Sequence, residues 1–197
     1  MTAAAAHSSD DAPSPWIARF APLVPPGARV LDLACGQGRH SRFFAARLCD
    51  VVAIDRDAQA LAALAGVARV TTMAVDLEAG PWPLAGERFD AIVVANYLYR
   101  PLFPALLDAL AGHGTWLYET FAVGNEAYGR PANPDFLLAA DELLTLARER
   151  LTIVAFEQGL VSGVRSAVVQ RIAAVGRSRG WPPPLPDAGE THRAPAR

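Results

Sequence analysis

The 197-residue chain reads as an α/β protein: a three-layer α/β/α sandwich around a seven-stranded, mostly parallel sheet that closes in an antiparallel hairpin. Three observations predict this. Short, nearly continuous apolar runs alternate with segments of helical periodicity, as strands covered on both faces by crossover helices should. The first apolar run, within "VLDLACGQGRH" (30–40), breaks into a two-glycine loop before its helix. The last two runs are joined only by "EQGLVSGVR", which leaves no room for a helix and suits a hairpin.

Taken in order, the strands are "ARVLDLA" (28–34), "DVVAIDR" (50–56), "ARVTTMAVD" (68–76), "FDAIVVAN" (89–96), "GTWLYET" (114–120), "RLTIVAFEQG" (150–159) and "RSAVVQRIAAV" (165–175). The helices are 40–48, 57–65, 101–111 and 139–148, with Pro101 suited to a first helical position, where no N–H is needed. Asp57 is the expected N-cap of the second helix. Two connections break the rhythm. "LEAGPWPLAGER" is too short and proline-rich for a full helix, and "FAVGNEAYGRPANPDFLLAADE" is a long irregular segment of the kind that usually carries function. The pattern is Rossmann-like, and it occupies one domain, residues 15–176. The flanks, 1–14 and 177–197, are small, polar and proline-broken and are expected to be disordered, with Trp181 the one residue there able to dock on the body.

Composition narrows the chemistry. All eighteen basic residues are arginine, so lysine Schiff-base chemistry and a Walker A lysine are excluded. The net charge of −2 gives no electrostatic reason to expect a nucleic acid or a membrane surface as partner. Cys35 and Cys49 form no ligand or disulfide pattern, and the four histidines (His7, His40, His113, His192) are scattered, so no metal site is expected and a reducing cytoplasm is the default location. No signal peptide and no run of eighteen apolar residues is present, so no membrane span is expected.

The glycine loop marks a cofactor site. Gly36 and Gly38 let the backbone turn tightly beyond the carboxyl end of a strand, where ligands of open parallel sheets bind. A dinucleotide fingerprint would place a third glycine at Ser41, and Asp32, just before the loop, would repel phosphates. Asp55, nineteen residues after Gly36, ends the second strand where a carboxylate can accept from both ribose hydroxyls. Asp76 ends the third and could accept from an adenine amino group. Three acids at three successive strand ends, none matched to a phosphate, point to an adenosyl ligand that carries positive charge, namely S-adenosylmethionine.

"VLDLACGQGRH", "AIDRD" and "AVDLE" resemble the first three motifs of class I S-adenosylmethionine-dependent methyltransferases, and the strand order with its closing hairpin is similar to that family's seven-stranded sheet. The chain looks most like the small single-domain enzymes of the tellurite-resistance type. Ala34 stands where that family usually has its first glycine. The resemblance implies that the backbone of residues 33–38, Ala34, Cys35, Gly36 and Gly38 among them, cradles the methionine part, and that Asp32 orients its amino group. It further implies that Asp55, with Arg56 beside it, takes the ribose, and that Asp76 and Leu77 take the adenine. Cys35 lacks a base and reads otherwise as a small packing residue.

Methyl transfer is an in-line displacement at carbon, so its machinery belongs above the fourth and fifth strands. In the family resembled, the segment at "ANYLYRPLF" passes beside the reactive methyl; Asn96 is kept, but the two-proline element of nucleic-acid amino methylation is absent. Asn96, Tyr97 and Glu119 are the catalytic candidates. Tyr99, Arg100, Tyr128 and Arg130 are the substrate candidates, with Asn125 and Asn133 as further polar contacts, Phe121 and Phe136 as walls, and Arg165 a possible anion contact unless it is salt-bridged. Arg39, Arg42 and Arg47 read as a solvated helix face. The expected function is methyl transfer to a small-molecule acceptor by a monomer or homodimer. Two alternatives stay open: an NAD(P)-binding oxidoreductase, and a non-catalytic S-adenosylmethionine-binding module.

Overall fold

The computed structural model describes residues 12–162 and 166–186; Arg165, His7 and His192 lie outside them. The strands are β1 (Arg29–Leu33), β2 (Asp50–Asp55), β3 (Val70–Ala74), β4 (Phe89–Ala95), β5 (Leu110–Phe121), β6 (Leu151–Val161) and β7 (Ala167–Gly176). They form one sheet in the order β3-β2-β1-β4-β5-β7-β6. The pairs from β3 through β5 are parallel, while β7 runs antiparallel to both β5 and β6, the expected closing hairpin. Strand order reverses between β1 and β4, which is where a ligand of such a sheet should lie.

Helices α1 (Pro15–Phe20), α2 (Arg39–Ala46) and α3 (Ala58–Leu61) cover one face, and α4 (Phe103–Ala109) and α5 (Glu142–Arg148) cover the other. On the first face Trp16, Ile17, Phe20 and Phe44 meet Val30, Val51, Val93 and Leu117. On the second, Phe103, Leu106 and Leu143 meet Leu31, Leu33, Ile92, Trp116 and Tyr118. Alternate residues of each strand thus serve opposite cores, which is why β1 and β4 read as continuous apolar runs.

The helices are shorter than the sequence periodicity suggests. The segment 57–65 is one turn of α-helix capped by Asp57, which accepts from the N–H groups of Gln59 and Ala60, followed by a 3₁₀ turn. Segment 101–111 opens as a 3₁₀ turn holding Pro101, and its helix ends at Ala109 because β5 begins at Leu110. Helix α5 starts at Glu142, not 139. Helix α1 was not expected at all, although its signal is in "SPWIARF": Ser14 caps the N–H groups of Trp16 and Ile17, and Pro15 takes the first helical position. The Trp16 indole N–H then donates to the Ile172 carbonyl and pins α1 to β7. As expected, no helix forms between β3 and β4. Trp181 is 76% exposed, so it does not dock on the body. Among the described residues no helix is long and apolar enough to cross a membrane, and no cluster of His, Cys, Asp and Glu could hold a metal ion.

Candidate functional site

The turn after β1 is built from residues in left-handed conformation: Ala34 (φ 53°), Gly36 (φ 56°) and Gly38 (φ 78°). Gly38 is required twice over, because a Cβ there would stand 2.4 Å from the Leu64 side chain. It packs the loop onto the 3₁₀ turn that follows α3 and is not among the residues lining the two cavities of this edge. Ala34 holds a backbone conformation that costs an alanine about 1 kcal/mol. At the end of β4, Asn96 is also left-handed (φ 56°), a state asparagine tolerates.

Three strand-end acids surround this turn, each in a different state. The Asp55 carboxylate accepts from the Gly36 N–H (2.7 Å) and the Asp57 N–H (2.9 Å), so it shapes the glycine loop as well as facing the cleft. Asp76 accepts from the Glu78 N–H (2.9 Å) and is otherwise exposed. Asp32 is 1% exposed and accepts from the Ser41 hydroxyl at 2.6 Å. Burial pushes its carboxyl up to about 6, against the Ser41 hydroxyl and N–H and the Arg39 charge, which pull it down. Ser41 stands where a dinucleotide loop would have its third glycine, and its work here is to hold Asp32. His40 is buried and neutral: burial, and then the Arg39 charge, hold its ring down to about 3, and its Nε2 accepts from the Ser14 N–H at 3.1 Å.

Two cavities open along this edge. The larger, about 450 Å³, is lined by Asp55, Arg56, Asp76, Leu77, Glu78, Tyr97 and Leu98, and on its far side by Thr120, Phe121, Pro131 and Phe136. The smaller, about 410 Å³, is lined by Asp32, Cys35, Gly36, Gln37, Arg39 and His40. Ala34 and Asn96 line both. The two left-handed non-glycine residues of the site therefore stand where the cavities meet. Strain of this kind persists where the surroundings over-determine it, and it clusters at functional sites.

The structure brings the expected cofactor residues together, Gly38 excepted, and disperses most of the expected acceptor residues. Glu119 is corrected: it is 8% exposed, points to the α1 face and pairs with Arg171 at 3.3 Å, while the next residue, Thr120, faces the cleft. Arg100 is also corrected. Its guanidinium donates to both Glu142 carboxylate oxygens (2.7 and 2.9 Å) and to the Asp135 and Leu137 carbonyls (2.8 Å each). It ties the irregular segment to α5 and is not part of the cleft lining. Tyr99 packs against the α4–α5 core, and Tyr128 (50% exposed) and Arg130 lie on the surface, so none of these three lines either cavity. Asn125 is buried, donating to the Pro131 carbonyl and accepting from the Val168 N–H, and Asn133 caps a 3₁₀ turn. Of the catalytic candidates, Asn96 and Tyr97 do line the cleft. The Tyr97 hydroxyl is buried with the Glu78 carboxylate as its polar neighbour but without a hydrogen bond of full geometry; burial first, then Glu78, then the Asp76 charge, push its phenol well above the usual range. Phe121 and Phe136 line the larger cavity.

Residues 30–113 match a protein-family model described as "Methyltransferase domain". No curated protein matches the chain in sequence. Among solved structures, TehB from Haemophilus influenzae superposes with a TM-score of 0.69 at 18% identity, over 88% of this chain and 64% of that one. The chain thus spans less than two thirds of that protein's length. A TehB-like S-adenosylmethionine-dependent methyltransferase from Corynebacterium glutamicum gives 0.59 at 19% identity, covering 82% of this chain and 86% of its own. The N-methyltransferase NodS from Bradyrhizobium japonicum, in complex with S-adenosylhomocysteine, gives 0.58 at 19%, covering 81% and 83%. At such identities the superpositions establish the fold; the family model and the loop between β1 and α2 add the motif. Residues 30–113 thus match a methyltransferase-domain model, and the chain has the fold of the S-adenosylmethionine-dependent methyltransferases on which it superposes.

Proposed function

We propose that the chain transfers the methyl group of S-adenosylmethionine to a small-molecule acceptor by in-line displacement. The observation that carries this reading is that two neighbouring cavities share Ala34 and Asn96 in their walls. One has room and acids for an adenosine, the other a buried acid for an ammonium group. When bound, S-adenosylmethionine supplies a methyl carbon made electrophilic by its sulfonium.

The chain's own residues do the rest. Asp55 accepts from ribose hydroxyls while it fixes the Gly36 N–H. Asp76 and the backbone at Leu77 hold the adenine, and Asp32 holds the ammonium. Asn96, at the junction, lies beside the transferring carbon. Thr120, Phe121, Pro131 and Phe136 wall the far side of the larger cavity and exclude water from an acceptor with an apolar part. A cleft of this size, on a chain with a net charge of −2 and no lysine, favours a small acceptor over a nucleic acid.

Calorimetric titration of the wild type and of Asp55→Ala with S-adenosylhomocysteine, and separately with NADH, tests the reading. The wild type should bind S-adenosylhomocysteine and not NADH, and the substitution should weaken binding by roughly 10- to 100-fold, the worth of the charged hydrogen bonds removed. Binding of NADH, or of neither ligand, overturns it.

A further inference from the structure

The apolar side chains left in water are unevenly placed. Of the seven large hydrophobic residues exposed among the described ones, four lie at one end of the sheet: Val123, Tyr128 and Phe136 on the irregular segment after β5, and Leu160 near the end of β6. Each keeps about half of its surface (46–57%) exposed. Leu160 stands opposite Val168 in the β6–β7 pairing, and a Cβ on Gly124, next to Val123, would meet the Val168 side chain at 3.5 Å. Buried Asn125 joins the rest: it accepts from the Val168 N–H, donates to the Pro131 carbonyl, and its own carbonyl accepts from the Tyr128 N–H at 2.8 Å. Pro131 and Phe136 already line the larger cavity, so this apolar surface starts at the cavity wall. Its exposure is held in place, because Arg100 donates to the Asp135 and Leu137 carbonyls on either side of Phe136. Exposed apolar patches of this kind, continuous with a cavity, mark binding surfaces.

Resting on the cofactor reading above, we infer that the methyl acceptor is an elongated lipophilic molecule, whose reactive end enters the larger cavity and whose apolar tail lies outside it, over Phe136, Tyr128, Val123 and Leu160. At about 450 Å³ that cavity is at the low end of the roughly 300–1,000 Å³ that one drug-sized ligand occupies, and the adenosine takes its share. The head of an acceptor fits beside it; a long tail has to leave. Where it leaves past Phe136, it meets two aromatic and two aliphatic side chains whose apolar surface it removes from water. Two other occupants suit the surface less well. The charged residues of segment 121–138 are Glu126, Arg130 and Asp135, which give no positive excess to hold an anionic bilayer. Four half-exposed side chains also fall well short of the ~800 Å² that each partner brings to a stable protein interface.

The test is titration of the full chain, saturated with S-adenosylhomocysteine, with 4-ethyl-, 4-butyl- and 4-octylphenol, each below its aggregation concentration. The shared phenol head cancels in the comparison, so the series reads the tail alone. Wild-type affinity should rise with tail length by about 2- to 4-fold per methylene, the range between half and full removal of a CH₂ from water. Val123→Ser/Leu160→Ser, changed only at exposed positions, should bind S-adenosylhomocysteine and 4-ethylphenol as the wild type does and lose roughly 10-fold for 4-octylphenol. Equal affinity for the three phenols, or a rise that the double variant keeps in full, overturns the inference while bound S-adenosylhomocysteine leaves the cofactor reading intact. A dimer seen in sedimentation of the wild type and lost in the variant also overturns it, since the patch then belongs to a second copy. Binding to phosphatidylglycerol vesicles that the variant loses does the same in favour of a bilayer. A wild type that binds no S-adenosylhomocysteine overturns both readings.

Discussion

The β2–β1–β4 edge of the sheet and the β5–β7–β6 edge are built from the same kinds of polar residue used in opposite ways. Along the first, Asp32, Arg39, Asp76 and Tyr97 line cavities, Asp32 and Asp76 accept only from the residues Ser41 and Glu78 of their own loops, and the Tyr97 hydroxyl is buried without a well-formed hydrogen bond. Along the second, charged groups are paired with one another, although the Nε atoms of Arg19 and Arg171 and the Trp116 indole N–H are buried without a hydrogen bond. Glu119 pairs with Arg171, Arg171 with Glu157 and Glu157 with Arg19; Arg100 grips Glu142; and the buried Gln170 bridges the Ala139 carbonyl and the Leu143 N–H. Polar groups that will hold a ligand carry a stability penalty in the free protein, and polar groups that hold the chain contribute stability. Substitutions on the first edge should therefore raise melting temperature and weaken ligand binding, and those on the second should lower melting temperature and leave affinity in place.

Asp32→Asn should show the largest effect. The folded-state pKa of Asp32 is raised from 3.8 to about 6, so the folded protein binds this proton more tightly than the unfolded chain does. Its contribution to stability is greatest below pH 3.8, falls as pH rises between 3.8 and 6, and is constant above. Near neutral pH the ionised, buried carboxylate lowers stability by about 3 kcal/mol, at 1.36 kcal/mol per pKa unit. Asparagine mimics the protonated acid and can still accept from Ser41. The variant should thus be more stable than wild type at pH 7 to 8, and the gap should close toward pH 4, as read by urea unfolding at each pH. His40 imposes the opposite slope on both proteins, because its lowered pKa makes the fold lose stability as pH falls from 6.5 toward 3, so the difference between variants is the quantity to plot. S-adenosylhomocysteine should bind the variant more weakly. A variant that melts lower than wild type at pH 8 breaks the contrast.

On the other edge, Arg100→Met should lower stability by about 1–2 kcal/mol and leave S-adenosylhomocysteine affinity within about 2-fold. It removes two bonds to Glu142 and leaves the Asp135 and Leu137 carbonyls without that donor. An unchanged melting temperature with weakened ligand binding would return Arg100 to the cleft.

The same contrast explains what could be read from the sequence. Asp32, Asp55 and Asp76 each lie within two residues of a strand's carboxyl end, and such an end in a parallel sheet fixes its own position at the ligand-binding edge. Local signals therefore sufficed for the glycine loop, the acids and the strand order. The acceptor side depends on contacts far apart in sequence: Arg100 meets Glu142, 42 residues on, and Asn125 meets Val168, 43 residues on. Glu119 failed for a different reason. Strand residues alternate faces, so a single step separates the residue in the cleft, Thr120, from the one on the far face, and no local feature of "YETF" sets that phase. Arg39 reads as a solvated position because nothing in a helix's sequence says that its first turn opens into a cavity.

Tyr97 lies on the β4 loop between the two edges, and its hydroxyl decides which logic it follows. The atom is buried, lacks a well-formed hydrogen bond, and belongs to a residue on the wall of the larger cavity near Glu78 and Asp76. If it waits for a ligand, Tyr97→Phe should remove an unsatisfied buried group. The free protein should then gain about 1 kcal/mol, raising the melting temperature by roughly 2–4 °C for a chain of this size. The same change should weaken S-adenosylhomocysteine several-fold, a small effect carrying the signature of Asp32. If the hydroxyl instead supports the fold, stability should fall and affinity should stay. The first outcome extends the ligand-facing edge one residue beyond Asn96, toward the adenosine; the second ends it at Asn96 and makes the Tyr97 ring a packing element like Tyr99.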